Sequence, residues 1–131
     1  MIGLDTNVLV RYLAQDDPVQ SPRATRIIEQ RFTEDRPGFI SLVTIAETVW
    51  VLDRVYGMPG LEIAVAVERI LQADTLIVQN EQEVFTASII LRTGAGSFSD
   101  ALIGAIGAWA GCSSTFTFDR KAARLKDFEL A

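Results

Sequence analysis

Seventeen acidic residues lie along this chain of 131, and most sit among other charges, as solvated faces do. Four stand apart. Asp5 is the sole charge before Arg11, Glu47 the sole charge between Arg36 and Asp53, and Asp100 the sole charge between Arg92 and Asp119. Asp119 closes an uncharged stretch, 101–118. A lone carboxylate in an apolar segment is costly to bury and needs a partner. Two carboxylates roughly 5 Å apart repel by about 3 kcal/mol at an effective dielectric of about 20, so four together require cations. The chain has no histidine and a single cysteine, Cys112. That removes histidine-based triads and His- or Cys-ligated zinc, and leaves an all-oxygen site for a hard ion, Mg²⁺ or Mn²⁺.

Each acid also has an ordinary reading. Asp5 can cap the first helix, Glu47 can pair with Arg54 or Arg11, Asp100 can face a helix dipole from the first turn, and Asp119 can be an N-cap. Each motif is weak alone; the four together are harder to dismiss.

The elements that would position these groups follow from hydrophobic spacing. The length suits a single domain over 1–131, with 49% hydrophobic and 22% charged residues, which excludes a disordered or fibrous chain. A short apolar strand over 1–4 leads into a helix with Val8, Leu9, Tyr12 and Leu13 on one face. Asp16-Asp17-Pro18 breaks it, Ser21-Pro22 starts the next helix, and Arg36-Pro37-Gly38 ends that one. A strand over 39–41 precedes a buried helix over 42–56, a turn over 57–60, a helix over 61–73 and a strand over 75–78. Asn80, with Glu83, caps a helix whose inner face is Val84, Ala87, Ser88 and Leu91. Ser99 caps a helix running to Gly111, a strand covers 115–118, Asp119 caps a short basic helix, and 128–130 forms an edge strand.

Strands alternating with helices imply a three-layer α/β/α sandwich with a central parallel sheet. Asp5 and Asp119 then sit at the carboxyl ends of strands, where open α/β sheets build their sites. Glu47 can lean over the same edge, while Asp100 lies either near the opposite rim or toward the site.

These residues carry a family resemblance. Asp5-Thr6-Asn7-Val8-Leu9-Val10-Arg11-Tyr12 after a short strand resembles the opening of PIN domains of the VapC toxin type. The segment 41–52, with Ala46-Glu47-Thr48, resembles the second motif, Phe98-Ser99-Asp100-Ala101-Leu102-Ile103 the third, and Thr117-Phe118-Asp119-Arg120-Lys121-Ala122-Ala123 the fourth. The resemblance implies a sheet order 3-2-1-4-5, with Asp100 joining the other acids. It also implies a metal-dependent endoribonuclease that is the toxin of a toxin–antitoxin pair, bound by a small antitoxin and forming a homodimer.

In that reading Asp5, Asp100 and Asp119 ligate one or two Mg²⁺ or Mn²⁺ ions, and Glu47 completes the site directly or through water. Metal-bound water of lowered pKa then attacks the phosphate in line. Thr6, Asn7, Ser99 and Thr117 orient the carboxylates, or serve only caps and turns. Arg11, Arg120 and Lys121 hold RNA phosphates, or are solvated charges. Basic groups stand at Arg23, Arg26 and Arg31 and at Arg120, Lys121, Arg124 and Lys126, within a net charge of −5. The start of the chain shows no signal-peptide pattern, and glycines break the uncharged stretch, so a cytoplasmic protein with no membrane span is expected.

The competing readings are weaker. A haloacid-dehalogenase-like phosphohydrolase wants a second acid two residues after Asp5, where Asn7 stands. A receiver-like module fits neither spacing. A catalytically silent PIN-like scaffold that binds protein or RNA remains an alternative. Trp50 and Trp109 lie in apolar helices and are expected in the core, as is Cys112. The helices over 42–56 and 61–73 carry apolar surface suited to a dimer or antitoxin interface.

Overall fold

The first strand is two residues long, and its hydrogen bonds fix where the first helix begins. The computed structural model describes residues 1–131. In it β1 (Ile2–Gly3) pairs in parallel with β2 (Gly38–Ile40), Ile2 opposite Gly38. The Leu4 N–H donates to the Phe39 carbonyl at 2.8 Å, which carries the pairing to the residue before Asp5. β2 in turn pairs in parallel with β3 (Leu76–Val78). Glycine at position 38 is required by packing, since a Cβ there would meet the Phe32 ring at 2.6 Å.

Six α-helices connect the strands: α1 (Thr6–Ala14), α2 (Gln20–Arg26), α3 (Leu42–Arg54), α4 (Gly60–Gln72), α5 (Glu81–Thr93) and α6 (Phe98–Trp109). α2 runs on as a π-helical turn, Ile27–Arg31. After α6 come β4 (Thr115–Thr117), a 3₁₀ turn at Ala122–Arg124 and β5 (Phe128–Leu130), with β4 and β5 again parallel. Parallel strands alternating with helices are the mixed α/β arrangement expected of an α/β/α sandwich. One cluster of 18 buried residues forms the core, with Leu9, Ile40, Ile45, Leu52, Ile63, Val67 and Val84 fully enclosed.

Several expectations need correction. The strands form two ladders, β1-β2-β3 and β4-β5, with no ladder between β1 and β4 where the order 3-2-1-4-5 requires one. β1 offers only two residues, which leaves little backbone for pairing on its second side. α2 is started by Asp17, whose carboxylate accepts from the backbone N–H groups of Val19 and Gln20. Ser21 is buried instead and donates to the Arg11 carbonyl at 2.8 Å. Asn80 is a left-handed N-cap whose side chain bonds Glu83 and not the backbone. Ser97, not Ser99, caps α6.

The two tryptophans are surface residues, Trp50 at 56% and Trp109 at 67% exposure, and Cys112 is exposed as well. α3 is not buried all round: its outer face shows Val43, Glu47, Trp50 and Arg54, while Ile45, Val49 and Leu52 face the core. Apolar neighbours in sequence do not imply burial on a helix, where the face repeats every 3.6 residues. No helix is long and apolar enough to cross a membrane.

Candidate active site

Asp5 occupies the junction between β1 and α1 in extended backbone, and its carboxylate accepts from the Thr6 N–H at 2.8 Å, as an N-cap does. Its neighbour makes the decisive contact. The Thr6 hydroxyl donates to Glu47 Oε1 at 2.7 Å, joining the first turn of α1 to the middle of α3. A second tie holds the two elements: the buried Thr44 hydroxyl donates to the Leu4 carbonyl at 3.4 Å. Asp5, Thr6, Asn7, Arg11, Glu47 and Tyr56 line an open cleft of about 450 Å³ together with Val10, Val51 and Val55.

Arg11 lines this cleft, yet no cation pairs with Asp5 or Glu47. Arg11 is held by Asp16 at 3.4 Å, by Gln20 Oε1 at 2.9 Å and by the Tyr56 hydroxyl at 3.1 Å. Arg54 pairs with Asp53 at 3.6 Å. Neither arginine reaches Glu47, so the ion-pair reading of that residue fails. Tyr56 donates in turn to Asp16 Oδ2 at 2.8 Å, and that hydrogen bond raises its pKa above the ordinary tyrosine value. Beside Arg11 in the last turn of α1, burial and the hydrogen bond to Glu29 raise the pKa of Tyr12.

The remaining two acids are not in this cleft. Asp100, half-buried in the first turn of α6, has its backbone N–H on the Ser97 hydroxyl at 3.1 Å, and its carboxylate bonds nothing. Asp119 is exposed and caps the turn after β4, accepting from the Lys121 N–H at 2.8 Å and the Ala122 N–H at 3.4 Å. Thr117 accepts from the Asp119 N–H at 3.0 Å, so it fixes the backbone there and not the carboxylate. Asn7 lines the cleft without a side-chain hydrogen bond, and Ser99 makes none either. Arg120 and Lys121 are exposed and unpaired.

No three acidic or cysteine side chains group closely enough to hold one metal ion. The structure thus brings together Asp5 and Glu47, with Thr6 between them, and leaves Asp100 and Asp119 outside that group. The gap coincides with the missing ladder, since Asp5 follows β1 and Asp119 follows β4. Like charges also repel across any such approach when no cation intervenes. The donors that are assembled are all oxygen and uncompensated, which is the chemistry a hard divalent ion takes.

The order of these features along the chain matches a known family. The PIN domain family aligns with residues 2–127, nearly the whole chain. The chain belongs to the PIN domain family. No curated protein matches it. PIN domains are generally nucleases and typically use a divalent metal, so this chain carries the fold of a nuclease family. Sequence reasoning overlooked Tyr56 and Gln20, which both bond Arg11; nothing in their local sequence marks either as a partner of that residue.

Proposed function

We propose that this PIN domain is a divalent-metal-dependent endoribonuclease that hydrolyses RNA phosphodiester bonds, and that it is the toxin of a VapBC-type pair, restrained by a small antitoxin and acting in the cytoplasm as a homodimer. The observation that carries the reading is the Asp5–Thr6–Glu47 cleft: two carboxylates held at one edge of a parallel sheet with no guanidinium or ammonium on either. Asp5 and Glu47 would hold Mg²⁺ or Mn²⁺, with Asp100 and Asp119 as the further acidic ligands. When bound, the ion supplies a water of lowered pKa and offsets charge on the phosphate. Thr6 fixes the Glu47 carboxylate, and Arg11, Arg120 and Lys121 are the candidates for phosphate contacts.

The absence of a three-carboxylate group favours one alternative, a silent PIN scaffold that binds protein or RNA. Cleavage of RNA with Mg²⁺ or Mn²⁺, compared between the natural chain and Asp5→Asn or Asp100→Asn, separates the two. Loss of cleavage in folded variants and after chelation supports the nuclease. Unchanged cleavage in either, or none by the natural chain even at high Mn²⁺, overturns it. Growth arrest on expression in a bacterial host, relieved by the neighbouring gene and absent with Asp5→Asn, tests the toxin role.

A further inference from the structure

A second concavity adjoins the acidic cleft and has the opposite charge. It measures about 260 Å³ and is lined by Asn7, Val8, Arg11, Gln20, Arg23, Ala24 and Ile27, between α1 and α2. Asn7 and Arg11 line both hollows. They are four residues apart on one face of α1, so the shared wall is about one helical turn, roughly 5.4 Å. Two guanidiniums and two carboxamides face this hollow, and no carboxylate lines it.

The nearby acids are already engaged. Asp16 accepts from Arg11 and Tyr56, and Asp17 accepts from the backbone at the start of α2. Arg11 is fixed in orientation by three partners, whereas Arg23 has no ion-pair partner. Arg11 is already paired with Asp16, so a neutral or cationic ligand would leave the Arg23 charge without a counter-charge, and the hollow suits an anion.

We infer that the α1–α2 hollow is a phosphate subsite for the nucleotide beside the scissile bond of a single-stranded RNA, with Arg23 as its principal contact. This rests on the nuclease reading, which places the reacting phosphate in the acidic cleft. The strand then passes over the Asn7–Arg11 wall, its reacting phosphate among the carboxylates and its next phosphate on Arg11 and Arg23, with Gln20 and Asn7 as hydrogen-bond donors. Placing anionic backbone beside Asp5 and Glu47 is unfavourable alone; a cationic anchor one step away offsets it and sets the register of the strand.

The test is binding of a labelled single-stranded oligoribonucleotide to the full chain under chelation, across a fourfold salt range, for the natural protein, Arg23→Gln, Arg23→Lys and Arg26→Gln. One phosphate contact on a single strand contributes about 0.7 to the slope of log affinity against log salt. Arg23→Gln should therefore bind more weakly, and over the fourfold range its affinity should fall about 2.6-fold less than that of the natural chain. Arg23→Lys should retain the slope, and Arg26→Gln, outside the hollow, should match the natural protein. An unchanged slope in Arg23→Gln, an equal loss in Arg26→Gln, or no RNA binding by the natural chain overturns the subsite. Cleavage by the natural chain and by Asp5→Asn, measured in parallel, keeps the two readings separable. Cleavage that depends on Asp5 with an unchanged Arg23 slope removes only the subsite, and a lost slope without any cleavage removes the nuclease and with it the placement beside a scissile bond, leaving Arg23 as an RNA phosphate contact.

Discussion

Thr6 and Glu47 are 41 positions apart in sequence, and the hydroxyl of the first holds the carboxylate of the second at 2.7 Å. Groups that orient a metal-ligating carboxylate typically contribute a factor of 10–100 to affinity or activity. Thr6→Val should therefore reduce RNA cleavage by about 10-fold or more, with Thr6→Ser close to the natural protein. The check is kcat/KM on one RNA at several metal concentrations, where the valine variant should need more metal.

Glu47's neighbour has the opposite character. The Thr48 hydroxyl is buried with no hydrogen-bond partner. A buried unsatisfied group is destabilising, and an apolar replacement of the same shape removes that penalty. Thr48→Val should raise stability by about 1 kcal/mol, read from the midpoint of chemical denaturation. A loss of stability would show that the hydroxyl has a partner.

Asp17 links stability to pH. Hydrogen bonds from Gln20 and Val19 lower its pKa below the ordinary carboxylate value. A carboxyl more acidic in the folded chain contributes stability that is fully present above the unfolded pKa and lost as pH falls through the folded one. Asp17→Asn should thus be less stable than the natural protein at neutral pH. The difference should close in acid, below the carboxylate range, in parallel denaturation curves.

A divalent ion that binds only the folded chain stabilises it by mass action, about 2.7 kcal/mol at a hundredfold excess over Kd. Mg²⁺ or Mn²⁺ should raise the melting temperature of the natural protein. Asp5→Asn and Glu47→Gln should each blunt that rise, and chelation should abolish it. An equal rise in both variants would place the ion elsewhere.

The sequence made some of this legible and hid the rest for identifiable reasons. Asp5 and Glu47 were conspicuous because each is the one charge in an apolar segment, and both line one cleft, each bonded to Thr6. The alternation of strand and helix was equally plain, as was the inner face of α5, where Val84, Ala87 and Ser88 are buried. Ser97 and Ser99 are both good caps in isolation; the helix took the earlier one because Phe98 is needed in the core, 2% exposed. Trp50 was misjudged because it lies among valines and leucines, yet it falls on the Val43–Glu47 side of α3. The pairing of β1 with β4 was not readable from residues at all. It came from a family likeness, and a two-residue strand gives that likeness little hydrogen bonding with which to assert itself.

The outward tryptophans decide how this protein can be watched. Both indoles meet solvent in the folded chain, so their emission should already be red-shifted and should change less on melting than that of a buried tryptophan. Far-ultraviolet circular dichroism is the probe for unfolding. Emission from Trp50 and Trp109 is suited to a different event, since any molecule that settles over either ring will shift it to the blue.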